Sequence, residues 1–218
     1  MSGPAPSRTP SRADGPAVFV YGYDPICGWC FGAAPAVRAV AAIMPVRLVM
    51  AGLVTGPRVG PAAAMEGYVR QASGRLRAAT GRAPSEAFYA WMRSPGAVAD
   101  SGPPAVAVDA VRRARPEAAL AFAHALTEAH YGAGMDPNDP AAYAPLIAAH
   151  APGVRLPDLH DPALADAAFA EGRAMGITSF PTFLLERGGT LERLPTIYEP
   201  DALVREVRGR MGMDLRGR

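Results

Sequence analysis

The sequence predicts an α/β domain in which a βαβ unit and a closing ββα unit share one sheet, interrupted by an all-helical insertion at about residues 60–160. Three observations carry this. An apolar, β-branched and aromatic run, Ala17 to Tyr23, leads directly into the only two cysteines of the chain, in Cys27-Gly28-Trp29-Cys30. The stretch from about 60 to 160 repeats its apolar residues at helical spacing and lacks a convincing strand. Near the C-terminus, two short apolar runs flank Gly188-Gly189, the pattern of a β-hairpin.

The elements follow in order. Residues 1–15 are Ser, Pro, Gly and Arg without an apolar core and read as a disordered tail ahead of a domain over 16–218. After the first strand, the Ala-rich run Phe31 to Met44 reads as a helix, stopped by Pro45 before a second strand from Val46 to Ala51. Gly60-Pro61 and Gly102-Pro103-Pro104 are breaks within the insertion. Pro116 reads as an early helical proline, and Ala119, Phe122, Ala123, Leu126 and Ala129 then keep helical spacing as far as Tyr131-Gly132. Asp139-Pro140 and Asp161-Pro162 each supply an N-cap and a first-turn proline, the second for a helix reaching about Met175. Strands from Gly176 to Leu185 and from Leu191 to Leu194, and a helix starting near Pro200, close the chain.

Composition removes several classes of function. A hydrophobic content of 50% with 19% charged residues is that of an ordinary globular chain. A net charge of +2 makes no case for nucleic acid or an anionic membrane surface. Every basic residue is Arg, which excludes lysine Schiff-base chemistry. No hydrophobic signal region and no membrane-length apolar run is present, so the expected location is the cytoplasm. In that reducing compartment a structural disulfide closing so small a loop is not expected, which leaves catalysis, redox sensing or metal binding for the cysteines.

A CxxC where a strand ends and a helix begins is a redox arrangement with a physical basis. The helix N-terminus carries about half a positive charge and free N–H donors, both favouring a thiolate, the attacking species in disulfide exchange. Cys27 at the mouth of the helix is then the nucleophile, and Cys30, one turn further in, the resolving thiol. The opposing reading, two small buried hydrophobes, is the weaker one at this spacing.

The pair Cys27-Gly28-Trp29-Cys30 and Ser179-Phe180-Pro181-Thr182-Phe183, separated by a long helical insertion, resembles the DsbA-like thiol–disulfide oxidoreductases, nearest to their cytoplasmic bacterial members, the predicted disulfide isomerases. The resemblance covers nearly everything after the tail. It implies a thioredoxin-like fold, a cis Phe180–Pro181 bond facing the cysteines, and a substrate strand pairing with the backbone of Phe180. Trp29, Phe180 and Thr182 are its candidate substrate contacts. It implies a reductase or isomerase acting on protein or small-molecule disulfides, with disulfide-containing proteins or peptides as partners, regeneration by glutathione or thioredoxin, and no organic cofactor. Pro35 resembles the proline that kinks the active-site helix, where it would remove the hydrogen bond to Phe31. The Gly28-Trp29 dipeptide departs from family members that carry histidine between the cysteines, so a less depressed Cys27 pKa than in the strong oxidants is expected.

Other residues admit two readings each. Asp24 is placed to exchange a proton with Cys30, yet Asp24-Pro25 is also a common turn pair. Pro181 is an active-site proline or an ordinary strand-start proline. Trp29, expected to be exposed, offers substrate a flat apolar contact or covers the helix start. Tyr21 and Tyr23 alternate with Phe19 and read as packing. Phe88, Tyr89 and Trp91 line a groove or form the core of the insertion. His124 and His130 with the CxxC give a poor zinc set, because they lie on different helix faces and far from the cysteines in sequence. No metal is therefore expected. A non-catalytic binding or redox-sensing module on the same fold is the alternative function. A glutathione-dependent isomerase with serine in place of the first cysteine is disfavoured by the presence of both thiols.

Overall fold

In the computed structural model, which describes residues 16–212, a mixed four-stranded sheet of order β2-β1-β5-β6 organises the chain. The tail expected over residues 1–15 lies outside the described residues. Strand β1 (Val18–Tyr23) runs parallel to β2 (Val46–Met50), pairing Phe19 with Val46 and Tyr23 with Met50. Helix α1 (Gly28–Ala41) is the crossover that parallel pairing requires. On the other side β1 pairs antiparallel with β5 (Thr182–Arg187), Tyr21 opposite Phe183. β5 then turns into β6 (Thr190–Arg193) through Gly188 and Gly189, whose φ values of 58° and 77° suit the tight hairpin turn read from the Gly-Gly pair.

The two-residue period of β1 sorts its side chains. Phe19, Tyr21 and Tyr23 join Leu48, Met50, Phe183 and Leu185 in the main core with Ala33, Val37 and Val40 of α1. Val20, Val49 and Leu184 face the other way and meet Ile177. Tyr21 and Tyr23 are fully buried, and the Tyr23 hydroxyl donates to the Ala123 carbonyl at 2.9 Å, the packing role expected of them. The closing helix α8 (Pro200–Arg210) buries Leu203 and Val207 in the same core, and its N-cap Glu199 accepts from the Asp201 N–H at 2.9 Å.

Between β2 and β5 come α2 (Glu66–Thr80), α3 (Glu86–Met92), α4 (Gly102–Ala114), α5 (Ala119–Ala133), α6 (Ala144–His150) and α7 (Pro162–Ala174). Asp139 and Asp161 cap as read from the sequence, accepting from Ala141 and Ala163 N–H at 2.9 and 2.8 Å. The segment is not wholly helical. Strands β3 (Gly60–Pro61) and β4 (Val98–Ala99) form an antiparallel ladder two residues long. A pairing that short has no periodicity to reveal it in the sequence.

Pro35 lies inside α1 as expected. The carbonyl of Phe31, which loses its helical donor there, accepts instead from the Arg82 guanidinium at 3.1 Å. Arg82 also lies over the Phe31 ring, 3.8 Å from its centroid, and pairs with Glu128. Around Phe31 a second core joins α1, α2, α3 and α5 through Leu76, Phe88, Tyr89, Trp91 and Tyr131. All three of Phe88, Tyr89 and Trp91 belong to this core, and Phe88 and Trp91 also line a cavity, so for those two both readings hold.

Candidate active site

The site forms where the end of β1 lies beside the start of β5. Gly22 pairs with Thr182, and a Cβ at Gly22 would stand 2.9 Å from that of Thr182. This close approach brings the loop after β1, which carries Cys27, to the turn before β5, which carries Pro181. Cys27 is the N-cap of α1, with extended φ −93° and ψ 112° and no side-chain cap bond, so the first-turn N–H groups are not taken up by a capping side chain. Its Sγ donates to the Phe180 carbonyl at 3.6 Å. The Phe180–Pro181 peptide is cis. Cys30, in the first turn of α1, is fully buried, and burial, with hydrogen bonding to Cys27, pushes its pKa well above the ordinary thiol value. Both cysteines are free thiols, Cys27 being 3% exposed.

Asp24 is completely buried beside this pair. Its Oδ1 accepts from Ile26 N–H at 3.1 Å and from the Ser101 hydroxyl at 3.0 Å. Its Oδ2 accepts from Leu53 N–H at 2.7 Å. Burial raises its pKa to about 6, against the lowering effect of those three donors. One lone pair of Oδ2 has no donor among the described residues, so the carboxyl can take up a proton without releasing any of the three.

Ser101 and Tyr131 were missed from the sequence. Ser101 occupies the N-cap position of α4, yet Pro103 and Pro104 follow Gly102 and carry no N–H for a capping hydroxyl to accept. The hydroxyl instead donates to Asp24 and accepts from Val54 N–H at 2.9 Å. A Ser before Gly-Pro-Pro was a legible sign of a side chain free for another partner. Tyr131, at the end of α5, donates to the Ile26 carbonyl at 2.6 Å and holds the loop just before Cys27. No sequence signal pointed to that contact.

Two expectations are corrected. Trp29 is half-buried rather than exposed, because its ring packs against Tyr198 at a centroid distance of 5.5 Å. Thr182 is 1% exposed, and its hydroxyl donates to the Ser179 carbonyl at 2.7 Å, so its side chain braces the Pro181 turn and is not a substrate contact. Phe180 and Trp29 both border a cavity of about 620 Å³ that Cys27 also lines. His124 and His130 are both buried. His130 Nδ1 donates to the Met135 carbonyl at 2.9 Å, while neither ring nitrogen of His124 has a partner among the described residues. Also among the described residues, no group of three or more His, Cys, Asp and Glu is placed to hold a metal ion.

A strand–CxxC–helix junction facing a proline turn, with helices inserted between the two halves of the sheet, makes this a thiol–disulfide oxidoreductase of the thioredoxin fold, similar to the DsbA-like oxidoreductases among solved structures. The cytosolic disulfide reductase DsbM from Pseudomonas aeruginosa is 29% identical, with a TM-score of 0.77 over 90% of this chain and 100% of that one. A structure of the same reductase with GSH gives 28% identity and a TM-score of 0.75 over 89% and 99%. The fold is shared more distantly with a protein from Nitrosomonas europaea described as a putative disulfide isomerase, at 21% identity and a TM-score of 0.70 over 92% and 99%. No family model and no curated protein matches the chain.

Proposed function

We propose that this oxidoreductase works as a glutathione-coupled disulfide reductase of the cytoplasm, with Cys27 as nucleophile and Cys30 as resolving thiol. The observation that carries this is the asymmetry of the pair. Cys27 caps α1 and borders the open cavity, whereas Cys30 is fully buried behind it with a raised pKa. The Cys27 thiolate attacks one sulfur of a substrate disulfide, the S–S bond breaks, and the first thiol leaves and is protonated. Cys30 gives up its proton and attacks Cys27 Sγ, releasing the second thiol and leaving the Cys27–Cys30 disulfide. Two electrons and two protons pass to substrate. Two glutathione molecules then restore the dithiol and become glutathione disulfide.

Asp24 is the relay for the Cys30 proton, since a carboxyl near pKa 6 both accepts and returns a proton at neutral pH. Pro181 carries no N–H, which leaves the Phe180 backbone to face Cys27 and to pair with an extended substrate. Trp29 and Phe180 supply apolar contact beside it. The scheme calls on no organic cofactor and no metal. Similarity to a cytosolic reductase, solved also with GSH, supports the location and the reductant. No helix among the described residues is long and apolar enough to cross a membrane.

Trapping and turnover test the reading. Cys30→Ser should accumulate mixed disulfides in cell extract, and Cys27→Ser should accumulate few. Equal trapping by the two would overturn the nucleophile assignment. With glutathione in excess the wild type should cycle many times on a small disulfide. A single change of state per molecule would leave a redox sensor in place of a catalyst.

A further inference from the structure

The cavity at Cys27 has a chemistry that the dithiol alone does not require. α2 lines it through Val69, Ala72 and Leu76, and α3 through Phe88, Trp91 and Met92. Of the polar groups in its wall, the Trp91 indole N–H has no partner among the described residues, while Ser73 and His130 are engaged. The Ser73 hydroxyl donates to the Val69 carbonyl at 2.7 Å and accepts from Tyr89 at 2.9 Å. His130 is committed to Met135, and burial lowers its pKa to about 4, so it is neutral at working pH. Among the described residues, Arg58, which is exposed, is the one charged side chain in the lining, and no acidic residue lines the cavity. A volume of about 620 Å³ is that of a small-molecule site.

The position of the thiol makes this wall relevant to substrate. Cys27 is 3% exposed and borders the cavity, so a disulfide reaches its Sγ by entering that space. A space of that volume suits a small molecule.

We infer that the cavity selects small organic disulfides, one half of which is a bulky aromatic or alkyl group held by α2 and α3, with a carboxylate or similar anion set against Arg58. This rests on the oxidoreductase reading and names its substrate class. The disulfide sulfur next to the apolar group lies at Cys27, the S–S bond breaks there, and the partner thiol departs. Cys30 then releases the apolar thiol from Cys27 as described above, with the same two electrons and two protons.

Binding is tested apart from chemistry with thioethers, which cannot exchange. The naphthylmethyl and methyl thioethers of mercaptopropionate are titrated into the reduced protein by calorimetry. The naphthylmethyl compound should bind at least about tenfold tighter, since apolar burial of this size discriminates on that scale. Ala72→Trp, which fills the space, should abolish the difference. Arg58→Met should weaken the naphthylmethyl acid several-fold and leave its amide unchanged. Equal or undetectable binding of the two acids, or selectivity that survives Ala72→Trp, would overturn the assignment. The corresponding mixed disulfides are then assayed for turnover. Faster reduction of insulin than of the naphthylmethyl disulfide would also overturn it, in favour of extended peptides. Selective thioether binding without turnover of any disulfide would leave the cavity assigned and refute the enzyme reading instead.

Discussion

The hydroxyl of Ser101, contributed by the segment inserted between β2 and β5, donates to the buried carboxylate of Asp24 at 3.0 Å across 77 positions of sequence. The same oxygen accepts from Val54 N–H, and the Val54 carbonyl accepts from Ser101 N–H at 2.9 Å. The inserted helices are therefore tied to the carboxylate beside the dithiol as well as packed next to it. In Ser101→Ala, Asp24 loses a donor that lowers its pKa, so its titration should move above about 6. Val54 N–H is also left without its acceptor, and the variant should lose about 1–3 kcal/mol of stability. Infrared or carboxyl-carbon NMR titration of Asp24 reads the first effect and urea unfolding the second. Ser101→Thr should restore both. An unmoved Asp24 titration in Ser101→Ala would show that the bond has no electrostatic consequence.

Acid should weaken the fold, and the histidines set the direction. Burial lowers the pKa of His124 to about 3 and of His130 to about 4, from an ordinary value of 6.5. Their neutral forms belong to the folded state, so the stability they contribute is complete above pH 6.5 and declines as pH falls toward those folded values. At pH 5 the loss is about 2 kcal/mol for each. Asp24 acts oppositely. Its folded pKa is raised to about 6 from 3.8, so it regains about 1 kcal/mol between pH 6 and pH 5. Over the whole span from pH 7 to pH 5 the net expectation is a loss of about 2 kcal/mol, measured by urea unfolding at the two values. His124→Leu should be the more stable protein at pH 7 by about 1 kcal/mol, since it removes two buried ring nitrogens without partners among the described residues, and should lose less on acidification. A destabilised His124→Leu would mean that the imidazole has a partner beyond those residues.

The order of elements was legible because each boundary carries its own local chemistry. Pro45 stops α1, Asp139 and Asp161 cap the turns they precede, and Gly188-Gly189 closes the hairpin. The dithiol was legible for the same reason, since strand, CxxC and helix are contiguous. What escaped depends on residues that only the folded chain brings together. Trp29 is covered by Tyr198, from the loop before α8, and Asp24 is completed by Ser101. The Phe31 carbonyl illustrates the limit: the sequence showed that Pro35 would orphan it, but not that Arg82 would supply the replacement.

Helix α7 crosses β2 at Gly172, where an added Cβ would stand 2.3 Å from the Met50 carbonyl oxygen. Backbone cannot yield to that contact without moving helix or strand. Gly172→Ala should therefore cost about 3 kcal/mol, seen as a lower melting temperature. Gly74 lies exposed within α2 with nothing within 4 Å of its would-be Cβ. Gly74→Ala should raise stability by about 0.5–1 kcal/mol through helix propensity. Similar effects of the two substitutions would refute the close approach at Gly172.

The two thiols should differ in reactivity well before any substrate is known. Cys27 borders the cavity at the N-terminus of α1, where a reagent that enters the cavity meets it. Cys30 is fully buried, and burial together with its neighbour Cys27 holds it protonated to well above the ordinary thiol pKa. Limiting iodoacetamide at pH 7 should label Cys27 at least about tenfold faster than Cys30, read by peptide mass spectrometry. Because Cys30 must lose its proton to resolve a mixed disulfide, Asp24→Ala should slow the release of a preformed Cys27 adduct while leaving the labelling of Cys27 nearly unchanged. Equal slowing of both steps would mean that Asp24 supports the loop alone, through the bonds it accepts from Ile26 and Leu53, and takes no part in moving the proton.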